Sequence, residues 1–194
     1  MEDTWPNSGA IAMKHHVVLE GWECRLRPET EEDNQFVVDL WNQPHVQGHL
    51  VMSPLSYEGH KTFFKQYLQT EGSFFWIVEN RQSKPVGTLG IDATNNDTCT
   101  IGRLAMYPTR DFIVITPLFM MYRFIFETLK LIRAQFTVLI DNRAAIKLHQ
   151  IMGAVDIGEN ITKVASSGVR IELAQYELTT DKWQRVANKL QQML

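Results

Sequence analysis

Apolar positions recur along the chain in two rhythms, and the switches between them lay out an order of elements. Alternation from His16 to Leu26 puts Val18, Glu20, Trp22, Cys24 and Leu26 on one face of a strand, which Pro28 ends. Thr30 with Asp33 three residues later resembles a capping box, and Phe36, Val37, Leu40 and Trp41 follow at helical spacing. Pro44 disfavours helical backbone in Gln43, so residues 45–55, with His45, His49 and Pro54, read as a loop. Ser56 can cap a second helix reaching about Leu68. Strands are predicted at Phe74–Glu79, Val86–Asp92 and Thr98–Tyr107, separated by turn chemistry at Arg81–Lys84 and Asn95–Asp97. The stretch Thr116–Lys130 has a single polar stripe, Arg123, Glu127 and Lys130, which predicts a helix buried on its remaining surface. A strand at Gln135–Asp141 precedes Asn142, the cap of a helix to about Met152. Strands at Val155–Val164 and Val169–Leu178 flank Ser166-Ser167-Gly168, and an amphipathic helix, Asp181–Leu194, closes the chain.

This order predicts a mixed α/β fold of the α+β class. Neighbouring strands pair antiparallel, while 98–107 and 135–141 flank a buried helix and form a parallel βαβ unit. A six- to seven-stranded mixed sheet with helices on both faces follows. Met1–Met13, with Pro6, Asn7, Ser8 and Gly9 and no apolar period, reads as a disordered tail, and 14–194 as one domain.

Composition narrows the classes. The 194 residues are 44% hydrophobic and 21% charged, enough for a core and against global disorder. The net charge of −3 argues against nucleic acid as the main partner. No apolar run approaches the roughly 18–20 residues that span a bilayer, and the N-terminus shows no export signal. Cys24 and Cys99 form neither a disulfide framework nor a metal knuckle, and no histidine has metal-ligand spacing, so no metal is expected. A reduced, cytoplasmic protein is the expectation, with the last helix positioned to seal the core or a homodimer.

Several segments carry a resemblance. Leu19-Glu20-Gly21, Leu26-Arg27-Pro28 and Glu32-Asp33 open the chain, and Leu40-Trp41-Asn42 with Pro44 follows. The most specific segment is Asn142-Arg143-Ala144-Ala145-Ile146-Lys147-Leu148-His149-Gln150-Ile151-Met152-Gly153-Ala154, and Leu178-Thr179 with Trp183 closes the pattern. From about Val17 to Trp183 the chain resembles the GCN5-related N-acetyltransferases. The nearer likeness is to the branch with ribosomal-protein N-terminal and amino-sugar acetyltransferases. The resemblance implies a sheet splayed in a V between its two central parallel strands, and acetyl-CoA as cosubstrate. It also implies transfer of the acetyl group to a primary amine of a small molecule, an amino sugar or an amino-acid-like amine, in a ternary complex.

Carried over residue by residue, the resemblance assigns Leu104, Ala105 and Met106 to main-chain pairing with the coenzyme, and Asn142 to a coenzyme contact as well as a helix cap. The family's glycine-rich pyrophosphate loop aligns with Thr109–Thr116, where its two glycines fall on Arg110 and Phe112. Arg110 then supplies charge where backbone approach is lost. His149 replaces the tyrosine that protonates the leaving thiolate. On the helix it lies roughly 130° from the stripe of Arg143, Lys147 and Gln150, so it faces inward or into a cleft. As a histidine it is a candidate acid near neutral pH. No glutamate occupies the family's base position on 98–107, where Arg103 stands, and Asp92 is the nearest acidic candidate. These departures keep two other readings open: an acyltransferase for longer acyl chains on coenzyme A or acyl carrier protein, and a non-catalytic binding module.

Overall fold

Eight strands form one sheet in the order β1-β2-β3-β4-β5-β6-β8-β7. In this computed structural model the described residues are 16–49, 54–93, 97–108, 114–164 and 168–193. The expected tail, Asn95, Arg110 with most of the pyrophosphate loop, and Ser166-Ser167 lie outside them. The strands are β1 (Leu19–Glu20), β2 (Cys24–Pro28), β3 (Ser73–Asn80), β4 (Pro85–Ala93), β5 (Thr98–Met106), β6 (Arg133–Leu139), β7 (Val155–Val164) and β8 (Arg170–Thr179). The helices are α1 (Asn34–Trp41), α2 (Pro44–Gln47), α3 (Tyr57–Gln69), α4 (Ile115–Arg123), α5 (Arg143–Ile151) and α6 (Thr180–Met193).

The strand count exceeds the expected six or seven because the first predicted strand folds back on itself. Gly21 donates its N–H to the Cys24 carbonyl at 3.0 Å, and Leu19 pairs with Leu26. A Cβ at Gly21 would lie 2.4 Å from the Met120 sulfur and 3.2 Å from the Cys24 carbonyl, so the turn packs closely on α4. Trp22, at its tip, is exposed. Pro44 does end α1, but it also opens the one-turn helix α2, because proline suits the first helical position. The buried helix departs from expectation in pitch. After Arg123 it widens into a π turn over Phe124–Thr128, where Leu129 N–H reaches the Phe124 carbonyl five residues back.

One face of the sheet carries the larger core. Leu26, Trp76, Leu89, Ile91 and Cys99 pack there against Leu118, Met121, Tyr122 and Ile125 of the α4 region, and Trp183 and Leu190 seal it from α6. Phe75 and Ile77 point to the opposite face and meet Val37, Phe64 and Tyr67 of α1 and α3. The entry to α1 is held by charge. Arg27 grips Asp33 with two 2.7 Å hydrogen bonds and Glu79 at 2.6 Å, and Asp33 also accepts from the Thr30 N–H at 2.8 Å. Burial alone would raise the Asp33 carboxyl, but the Arg27 and Thr30 hydrogen bonds outweigh it and hold the group below its ordinary range. No helix among the described residues is long and apolar enough to cross a membrane.

Candidate active site

The parallel pair β5 and β6 begins in register and then parts. Thr98, Cys99 and Thr100 pair with Arg133, Ala134 and Gln135, and pairing stops there. From Ile101 onward β5 has no strand partner on its β6 side among the described residues, and Ile101–Leu104 line an opening there. The splay expected from the sequence is therefore present.

A bulge sharpens it. Thr88 faces Ala105 and Gly90 faces Gly102, so Arg103 and Leu104 together oppose Leu89. Arg103 sits at φ +56°, a left-handed conformation that costs a non-glycine residue about 1–3 kcal/mol. Several contacts hold it there. The Thr88 hydroxyl donates to the Arg103 carbonyl at 2.8 Å and accepts the Trp41 indole N–H at 3.0 Å. The Arg103 guanidinium runs past Gly90, where a Cβ would lie 2.7 Å from it, to an ion pair with Asp92. It stacks over Phe63 and Phe75, 5.5 and 5.6 Å from their ring centres.

The opening is a cleft of about 370 Å³. Leu104 from β5, Phe136 and Val138 from β6, and Asn142 and His149 from α5 line it, with Trp41 and His49 on the other side. The Asn142 side chain accepts the Ala145 N–H at 3.1 Å, so its capping role is present and its amide remains at the cleft wall. Ala105 turns its side chain into a small cluster with Leu40 and Val46, and the Met106 carbonyl lies 3.0 Å from His45 Nε2. Of the three expected strand residues, Leu104 alone lines the cleft with its side chain.

His149 is 4% exposed, yet it forms part of the cleft wall. Its ring stacks on Phe136 with centres 3.9 Å apart, and its Nδ1 lies 2.7 Å from the Tyr122 hydroxyl. That hydroxyl is fully buried and has no other acceptor among the described residues, so it donates and Nδ1 accepts. The proton of the neutral ring then sits on Nε2. Burial pushes the His149 pKa down to about 4. The expectation of a protonated histidine acid near neutral pH is corrected on that ground: the ring is neutral there and offers a hydrogen bond, not a full positive charge.

Asp92 is corrected as well. It does not line the cleft. It accepts the Ser73 hydroxyl at 2.5 Å and pairs with Arg103 on the face that α1 and α3 cover, so it anchors the bulge instead of reaching a substrate. Trp41, Thr88 and Tyr122 form the rest of the site's frame. Trp41 stood in the resemblance segment Leu40-Trp41-Asn42 without an assigned role, and Thr88 and Tyr122 carried no signal, because a strand threonine and a core tyrosine look alike wherever they occur.

The geometry fits a coenzyme with a long amide-bearing arm. Unpaired strand edge can take up amides by strand addition. At the start of α4, the Thr116 hydroxyl is buried without a partner among the described residues, beside the first-turn N–H groups that have no acceptor within the helix. No cluster of His, Cys, Asp and Glu among the described residues is suited to a metal.

Residues 24–155 match the model of the acetyltransferase (GNAT) domain. No curated protein matches the sequence. Among solved structures, spermidine N-acetyltransferase from Vibrio cholerae in complex with CoA and spermine is 16% identical with a TM-score of 0.75, covering 84% of this chain and 98% of that one. A GCN5-related N-acetyltransferase from Brucella melitensis is 15% identical with a TM-score of 0.75, over 90% and 84% of the two chains. FdhC, a nucleotide-linked sugar GNAT, is 19% identical with a TM-score of 0.73, over 91% and 97%. At these identities the likeness is one of fold.

Proposed function

The chain belongs to the GNAT acetyltransferases, whose cosubstrate is acetyl-CoA, and we propose that its acceptor is the primary amine of a small molecule, acetylated by direct attack in a ternary complex. The observation that carries this reading is the cleft itself: an unpaired strand edge and a buried N–H donor, His149 Nε2, border one space. Acetyl-CoA supplies a thioester carbonyl activated toward amines. The amine nitrogen forms the new C–N bond, the C–S bond breaks, and the proton lost by nitrogen ends on sulfur.

Each residue has a defined part. Main-chain N–H groups at the Arg103–Leu104 bulge, which faces no β6 partner among the described residues, would receive the carbonyl oxygen as charge develops on it. His149 Nε2–H would hydrogen-bond the leaving sulfur as charge develops on it, keeping its own proton, with Tyr122 fixing the tautomer that makes this possible. Asn142 would contact the coenzyme while capping α5. Arg110, outside the described residues, is proposed on sequence grounds as the charge partner of the pyrophosphate.

Thermal shift and thiol release test this. Stabilisation by acetyl-CoA and desulfo-CoA, with free thiol appearing only when a primary amine is added, is the expected result. Stabilisation by long-chain acyl-CoA alone would favour a longer acyl donor. Absence of any coenzyme effect would leave a binding module. A ligand at 100 times its Kd adds about 2.7 kcal/mol, well within detection.

A further inference from the structure

A second chamber, of about 330 Å³, shares two walls with the cleft, Trp41 and Arg103. Its other walls are mainly apolar: Val37 from α1, Leu55, Phe63 from α3 and Phe75 from β3. Polar groups in the walls are mostly spoken for. The Trp41 N–H is taken by Thr88 and the Arg103 guanidinium by Asp92.

The exception is a histidine whose partner, Glu29, lies outside the lining. His60, 3% exposed, lines the chamber, and its Nε2 lies 2.5 Å from Glu29 Oε1. His60 Nδ1 has no hydrogen-bond partner among the described residues, and Glu29 Oε2 is buried without one. His60 Nδ1 is therefore the acceptor that the chamber leaves to a ligand bringing a donor.

We propose that this chamber seats the acceptor, and that the acceptor is an arylalkylamine whose ring carries a distal hydrogen-bond donor such as a phenol. The inference rests on the acetyl-transfer reading above and names its substrate class. The ring would lie among Phe63, Phe75 and Val37, its donor would face His60 Nδ1, and its short amine arm would extend to the wall shared with the cleft.

Chemistry separates this class from the obvious rivals. An amino sugar brings several hydroxyls, each of which loses water and finds only Val37, Leu55, Phe63 or Phe75 in exchange. A polyamine brings several ammonium groups into a chamber whose described lining offers no carboxylate and already holds the Arg103 cation. A flat ring is matched by the ring faces and edges present.

Calorimetric titration of the protein saturated with desulfo-CoA tests the proposal, with tyramine, phenethylamine, glucosamine and spermidine as titrants. Tyramine is expected to bind at least tenfold more tightly than glucosamine or spermidine. It should also bind roughly tenfold more tightly than phenethylamine, which lacks the donor. Leu55→Trp, which fills the chamber, should weaken tyramine at least tenfold and leave desulfo-CoA affinity in place. Phe63→Leu, which removes a ring face without adding bulk, should weaken it in the same direction. Preference for glucosamine or spermidine, or tyramine binding indifferent to both substitutions, overturns the proposal. Equal affinity for phenethylamine removes His60 from recognition and overturns the requirement for a distal donor. If desulfo-CoA does not bind, the acetyl-transfer reading fails by itself, and tyramine titrated into the coenzyme-free protein and Leu55→Trp decides the chamber separately.

Discussion

The Tyr122 hydroxyl hydrogen-bonds to His149 Nδ1 at 2.7 Å inside a fully buried contact, and this single bond determines which proton His149 can offer to the cleft. Tyr122→Phe should cost about 1 kcal/mol of stability. It should also lower kcat with little change in KM for acetyl-CoA, since the ring is then free to take the other tautomer. A purely structural contact would change stability alone. His149→Ala should lower kcat by roughly 10²-fold, the scale of one lost donor.

Protonation of His149 is linked to folding. Its folded pKa is pushed from 6.5 to about 4 by burial, so between those values the unfolded chain binds a proton that the folded chain does not. Stability from this group is therefore full above about pH 6.5 and is lost as pH falls toward 4, by at most ~1.4 kcal/mol per pH unit. Urea unfolding of the parent protein and of His149→Phe between pH 4 and 7 should show the slope shrinking in the variant. An unchanged difference between the two across that range would mean that His149 titrates normally.

Asn142 caps α5 and faces the cleft at once. Asn142→Ala should cost about 1 kcal/mol in stability, and Asn142→Ser should recover most of it. Coenzyme affinity should fall in both, because serine restores the cap and not the longer amide. Recovery of affinity with serine would assign the asparagine to capping only.

Gly90 leaves room for Arg103. A Cβ there would meet Arg103 Nη1 at 2.7 Å and the Phe74 carbonyl at 2.9 Å, and the second of these is backbone that cannot swing aside. Gly90→Ala should destabilise by about 1–3 kcal/mol and lower acetyl transfer through displacement of the bulge. Denaturant midpoints and initial rates on the same preparation would separate the two effects.

The Arg27 network predicts acid sensitivity of a different origin. Asp33 is held below its ordinary carboxyl range, so the stability it contributes is present above about pH 3.8 and is lost as pH falls through the lower folded value. Asp33→Asn should cost about 3 kcal/mol at neutral pH by leaving Arg27 half-paired. It should also flatten the acid limb of the unfolding profile.

The sheet and most helices were legible because their signals are local. Ser56 and Asn142 cap where they stand, Pro108 follows β5, and the stripe Arg123, Glu127 and Lys130 marks the exposed side of the α4 region. The early termination of β5–β6 pairing followed from the resemblance, not from periodicity. Legibility failed where a long-range contact decides. The turn at Gly21 depends on Met120, about a hundred positions away. Arg103 in strand sequence gives no hint of a left-handed bulge, because Thr88 and Asp92 of β4 and Trp41 of α1 enforce it from two other elements. The direction of His149 could be read from helix geometry, but its charge could not. Charge depends on burial beside Phe136 and Tyr122.

Parting a sheet down its middle creates two raw edges, and such edges invite strands from other molecules. Here β5 and β6 turn those edges toward each other, behind Trp41 and His149, where no foreign sheet can dock. The outer margins are blunted in other ways. At one end β1 has only two residues. At the other, β7 slips register between Asp156 and Asn160, with Gly158 at φ +76° and its N–H turned to the Asp156 carboxylate at 2.8 Å. That bulge, with Glu159 and Lys163 along the strand, spoils β7 as a template for edge-to-edge pairing. Resistance to aggregation is thus written into the same backbone that opens the cleft.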